Sequence, residues 1–136
     1  MQNSYVKKLN KLNLQDIDLV GGKNASLGEM IGNLSELGIN VPGGFATTSH
    51  AYRDFLEHKN LGDRINNALD NLNVDNISDL TATGKKIRAW VLETELPNKL
   101  MLEIEREWQE MSGGKDIAVA VRSSATAEDL PDASFA

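Results

Sequence analysis

The sequence predicts an α+β fold, with helices filling the middle and short strands at the two ends. Three observations carry that expectation. Apolar residues recur at helical spacing through most of residues 24–111. Short extended segments flank the helical stretch. A continuous apolar run, Ile117 to Val121, stands near the C-terminal end.

Each element has a local reason. Tyr5 to Asn10 reads as a short strand, and Leu14 to Gly22 as a loop ending in a glycine pair. Leu27, Met30, Ile31, Leu34 and Leu37 share one helical face, which predicts a helix over 24–37 with Asn24 as its N-cap and Gly38 as its stop. Val41-Pro42-Gly43-Gly44 is a turn before a short strand at Phe45 to Thr48. Ser49 is placed to cap a helix reaching about Lys59. Leu61, Ile65, Ala68, Leu69 and Leu72 make a further apolar stripe, and a polar break follows at Asn71 to Asn76. Leu80, Ile87 and Val91 predict a helix over 78–94, weakened by Gly84. Pro97 suits a first helical turn, and Leu100, Ile104, Trp108 and Met111 line one face after it. Ser112-Gly113-Gly114 ends that helix. Ile117 to Val121 reads as a strand covered on both faces.

The bulk properties exclude several functions. The 136 residues carry a net charge of −6, and 40% of them are hydrophobic. An acidic surface repels phosphate backbones and anionic lipid, so no nucleic-acid or membrane partner is expected. Cysteine is absent, which removes disulfides and thiolate metal sites. No apolar run approaches about 18 residues, the length that marks a membrane-spanning helix. Charges near the start are not followed by an apolar stretch, so no secretory signal is read and the cytoplasm is the expected compartment.

Two segments have the residue types that handle phosphate. In Val20-Gly21-Gly22-Lys23-Asn24, two glycines permit close backbone approach, a helix start presents N–H groups to an anion, and Lys23 adds a mobile cation. The spacing fails the Walker A pattern. The plain alternative is a tight turn with a solvated lysine. The second segment runs from Val121 to Ala136. Arg122 ends the apolar run, where a rigid strand would aim its planar fork at phosphate oxygens. The hydroxyls of Ser123, Ser124, Thr126 and Ser134 can donate to the same oxygens. Glu128, Asp129 and Asp132 would repel a bare phosphate and must point away, cap a turn or face a cation. The plain alternative is a solvated surface loop.

Other residues have ordinary readings. His50 belongs in a first helical turn and His58 faces solvent; two histidines without cysteine make a poor metal site. Trp90 and Trp108 lie on helical segments, where packing is the expected role. Glu103, Glu105, Glu107 and Glu110 with Arg106 read as a solvated helix face.

Residues 20–30, 41–48 and 120–136 together resemble the N-terminal nucleotide-binding region of the phosphoenolpyruvate synthase and pyruvate dikinase family, which includes pyruvate phosphate dikinase and the rifampicin phosphotransferases. The run from Asn24 to Met30 is most similar to the synthase members. The resemblance covers the whole chain in order, with weaker matching over 60–115. It implies a partial ATP-grasp-like nucleotide domain that would pass two phosphates from ATP to a histidine on another domain; one is then lost to water (or to phosphate in the dikinase relative), and the histidine carries the other to pyruvate. It implies that Lys23 and Arg122 contact ATP phosphates and that 123–136 is the flexible loop over them. The expected cofactor is Mg2+ with ATP. The second half of the nucleotide domain with its metal ligands, the carrier histidine and the pyruvate site have no counterpart here. Residues 1–136 are thus expected to be the truncated first part of the ATP-binding domain, inactive alone and homodimeric only through other parts. His50 superficially echoes the carrier-histidine motif, but its spacing from Gly43-Gly44 does not fit. Two alternatives stay open: a related dikinase-type phosphotransferase, and a non-catalytic anion-binding module.

Overall fold

A computed structural model describes residues 4–127. The chain forms β1 (Val6–Lys8), two 3-10 turns, α1 (Ile17–Val20), α2 (Gly22–Glu36), β2 (Phe45–Thr47), α3 (Ser49–Glu57), a third 3-10 turn, α4 (Leu61–Asp70), α5 (Ile77–Glu93) and α6 (Asn98–Ser112). The class is α+β, as the sequence predicts. The described residues divide into two compact units, one from residues 4–52 and 99–127 and one from residues 53–98.

In the first unit, β1 and β2 pair antiparallel with Val6 opposite Thr47 and Lys8 opposite Phe45. Two strands this short do not stand alone in water. One face is covered by a cluster of Val6, Ala51 and Leu100, joined by Tyr5, Phe45 and Ile104. Leu9, Leu12, Val20, Ala25, Ile31 and Ala46 form a second cluster beneath α2. That helix lies so close to the preceding turn that a Cβ on Gly28 would stand 2.6 Å from the Leu12 Cβ and 2.7 Å from its carbonyl oxygen. Only glycine permits this approach. The Glu29 carboxylate reinforces it by accepting from the Leu14 N–H at 3.1 Å.

The caps refine the expected boundaries. α2 begins two residues earlier than predicted, with Gly21 as its N-cap, and Asn24 sits inside the first turn. Leu14 to Gly22 is not a plain loop, because Asn13 and Asp16 cap each other reciprocally and start a turn that runs into α1. α3 is capped by Thr48 rather than Ser49: the Thr48 hydroxyl accepts from the Ala51 N–H at 3.3 Å and donates to the Ser4 carbonyl at 2.9 Å. Thr48 is buried, so both bonds are made away from solvent. Gly38 ends α2 at φ +75°, as expected.

In the second unit α4 packs on α5, with the Arg64 guanidinium 4.6 Å from the Trp90 ring centroid. Leu61 is fully buried there. Lys59 and Asn60, both at positive φ, turn the chain into α4. The Asn76 side chain caps α5 by accepting from the Asp79 N–H, so this helix too starts ahead of its predicted bound. His58 is half-buried, against the solvent-facing position expected.

The clearest departure is the apolar run Ile117 to Val121. It carries no strand pairing among the described residues, and Val121 is 92% exposed. An apolar run becomes a buried strand only with a hydrogen-bonded neighbour and a covering layer. None of the described elements supplies either. No helix among the described residues is long and apolar enough to cross a membrane.

Candidate functional site

Gly21 occupies φ +83° and ψ 165°, a conformation that only glycine adopts without strain. It ends α1 by donating its N–H to the Ile17 carbonyl at 2.8 Å, and it begins α2. The Asn24 side-chain amide donates to the Val20 carbonyl at 3.1 Å and braces the same corner. Lys23 thereby stands, solvent-exposed, in the first turn of a fifteen-residue helix.

The second candidate segment closes on this corner from about a hundred residues away. The Gly22 N–H donates to the Ala125 carbonyl at 3.1 Å. The Asn24 N–H donates to the Ser124 Oγ in a longer bond of 3.4 Å. A Cβ added to Gly21 would meet the Ser124 Oγ at 2.3 Å and the Ala125 backbone N and O at 2.9 Å. The two glycine-rich and serine-rich motifs are therefore one structural unit, with Lys23 between the two bonded residues and Arg122 two positions before Ser124.

This contact changes part of the sequence-based picture. The close approach that Gly21 permits is to the chain's own backbone. Two of the first N–H groups of α2, those of Gly22 and Asn24, already have partners in the described structure. The cations are side chains rather than helix-end amides. Lys23, Arg122, Ser123 and Thr126 are exposed, while Ser124 is half-buried against the corner. Ser134, with Glu128, Asp129 and Asp132, lies outside the described residues. Gly21 is the participant that local sequence reasoning placed against a ligand instead, because nothing near it in sequence announces a partner at position 124.

A separate cavity of about 310 Å³ lies in the same unit, lined by Lys8, Gly44, Phe45, Glu107 and Glu110 among others, and none of the nominated phosphate contacts borders it. Lys8 Nζ donates to Glu110 at 2.6 Å and lies 3.9 Å from Glu107. The bond to Glu110, with the charge of Glu107 beside it, raises the Lys8 pKa, and the same bond lowers that of Glu110. Glu107 and Glu110 thus belong to an ion-pair cluster rather than to a purely solvated face.

Residues 17–136 match the family described as the pyruvate phosphate dikinase AMP/ATP-binding domain. The chain belongs to that family. Over 133 residues it is 60% identical to a phosphoenolpyruvate synthase of Pseudomonas aeruginosa, covering 97% of this chain and 17% of that protein. A phosphoenolpyruvate synthase of Neisseria meningitidis is 56% identical over 139 residues, covering 100% and 18%. That of Escherichia coli is 48% identical over 128 residues, covering 93% and 16%. The chain spans about a sixth of the length of these relatives. Both candidate segments fall inside the stretch matched to the AMP/ATP-binding domain family.

Proposed function

We propose that this chain is the first part of an ATP-binding domain of a phosphoenolpyruvate synthase. The complete polypeptide would convert ATP, pyruvate and water into AMP, phosphoenolpyruvate and phosphate through a phosphohistidine. The observation that carries the reading is the joining of the Lys23 corner to the Arg122 loop inside a stretch that matches an AMP/ATP-binding family. Identity to phosphoenolpyruvate synthases over nearly the whole chain supports the choice of reaction.

The chemistry asked of these residues is modest. Phosphoryl transfer needs the phosphates held in line and their charge offset, with little covalent work from the protein. Lys23 and Arg122 supply two cations from elements fixed to each other. Arginine's fork suits two oxygens of one phosphate, and lysine suits a point contact. Ser123 and Thr126 have exposed hydroxyls to donate, Ser124 keeps its hydroxyl hydrogen, and Ser134 completes the proposed set. Magnesium would travel with the triphosphate. Its protein ligands are assigned to the remainder of the polypeptide, as the family resemblance implies.

The same reading accounts for the exposed run at 117–121. In a complete ATP-grasp-like domain this segment would be a sheet strand, with neighbours drawn from sequence beyond this chain. Pyruvate binding, the carrier histidine and a homodimer contact are likewise assigned to the remainder, and the cytoplasm is the compartment proposed. The test is ATP-dependent phosphohistidine formation in the complete protein. Lys23→Ala and Arg122→Ala are each expected to reduce it by about tenfold or more, the scale for losing a charged contact to phosphate. Near-normal labelling in both would overturn the assignment.

A further inference from the structure

We propose that Gly21 and Ser124 are positioning residues: they form a clasp that locks the arginine-bearing loop onto the first turn of α2 and so fixes the spacing between Lys23 and Arg122. The inference rests on the ATP-binding reading above. It gives Ser124 a different principal duty from that of a phosphate contact, and gives Gly21 a duty toward its own chain.

The geometry is specific. Ser124 acts as a helix cap delivered from elsewhere in the chain, its oxygen accepting from the Asn24 N–H at 3.4 Å. One residue on, the Ala125 carbonyl takes the Gly22 N–H at 3.1 Å. Those two amides flank Lys23. Gly21 is the floor on which the loop sits, buried, with no room for a Cβ beneath the Ser124 Oγ or the Ala125 backbone. Two flexible cationic side chains gain binding strength when their roots are fixed, because less freedom is lost on meeting the ligand. Among the described residues the run preceding Arg122 pairs with no strand, so the bonds after it are what tie the arginine to Lys23.

The test is a double-mutant cycle in the complete polypeptide, using Gly21→Ala, Ser124→Ala, both together, and Ser124→Thr. Three quantities are read: amide hydrogen exchange at Gly22 and Asn24 without nucleotide, ATP affinity by calorimetry, and melting temperature. Ser124→Ala is expected to speed Asn24 exchange and weaken ATP roughly two- to fivefold, the scale of one neutral hydrogen bond. Ser124→Thr keeps the acceptor and should restore most of the affinity. Gly21→Ala should release Gly22 protection as well and weaken ATP about tenfold or more, as steric displacement of a packed segment does. The double variant should bind ATP no worse than Gly21→Ala within about twofold, since one clasp cannot be opened twice.

Additive losses of affinity would overturn the clasp and return Ser124 to an independent phosphate contact. Unprotected Gly22 and Asn24 amides in the wild type would overturn it directly. A loss of melting temperature with unchanged ATP affinity in Ser124→Ala would reduce the residue to a stabilising role and overturn positioning. Absent ATP binding in the wild type would overturn the nucleotide reading and the positioning role with it, while exchange at the two amides separately decides whether the clasp exists.

Discussion

Two apolar stretches of the first unit have opposite fates. Leu9 to Ile31 folds back on itself: Leu9, Leu12, Val20, Ala25 and Ile31 pack into one cluster, closed by the Gly28 contact with Leu12. Ile117 to Val121 is apolar at every position, more so than the first stretch, yet it runs extended, with Val119 at 49% and Val121 at 92% exposure. The difference lies in partners, not composition. The first stretch carries its own neighbours within about twenty residues. The second requires a ladder and a cover that the described elements do not supply. Apolarity states what a segment needs; only the remaining chain decides whether the need is met.

The largest effect is expected from disturbing the packing of the first stretch. Leu12→Ala should destabilise the protein by about 2–5 kcal/mol, the usual loss for a buried leucine, in a denaturant titration. Gly28→Ala should lose about 1–3 kcal/mol by overpacking against Leu12, because the nearest atoms are a Cβ and backbone that cannot swing aside. A neutral Gly28→Ala would show that α2 does not lie where it is placed. Thr48→Ala removes a cap and a buried tie to Ser4, and about 1–2 kcal/mol is expected from equilibrium unfolding.

The second stretch gives a sharper contrast. Val121→Ser should change the stability of the isolated 136-residue chain by no more than about 0.5 kcal/mol, as for an exposed site. In the complete polypeptide, where we place a paired strand, the same change should cost about 1 kcal/mol or more. Equal effects in the two settings would contradict the strand assignment.

The smallest effect is electrostatic. The pKa of Glu110 is lowered by its bond to Lys8, so its contribution is present above the ordinary carboxylate range and fades as pH falls through the lowered value. The pKa of Lys8 is raised, so its contribution is present below the ordinary lysine range and fades as pH climbs through the raised value. Both groups are exposed and screened. Melting curves of wild type and Lys8→Met across pH should therefore nearly coincide at neutrality and converge fully at acid pH.

Much of the helical fold was legible in sequence. Leu100 and Ile104 face inward on α6 as their spacing requires, with Trp108 and Met111 half-buried behind them, and Gly38 and Gly113 stop their helices at positive φ. The caps were less legible. Neighbouring polar residues such as Thr48 and Ser49 are equally suited by type, and their bonding tells them apart: the Thr48 hydroxyl accepts from the Ala51 N–H, while the Ser49 hydroxyl donates to the Asp18 carbonyl. The two phosphate-handling segments could each be picked out locally. Their union could not, because the bonds of Ser124 and Ala125 to the α2 corner join residues about a hundred positions apart. Nor could the sequence say that Gly21 accommodates its own chain, since a close approach by a backbone and by a ligand ask for the same glycine.

We place the Lys23 corner and the Arg122 loop on two sides of one ATP site. Amide hydrogen exchange on the complete protein, with and without ATP and Mg2+, is the decisive experiment for that placement. Exchange should slow in both segments, around residues 22–25 and 122–126, with the same ATP concentration dependence. Protection of only one segment, or of neither while ATP binds elsewhere, would contradict it.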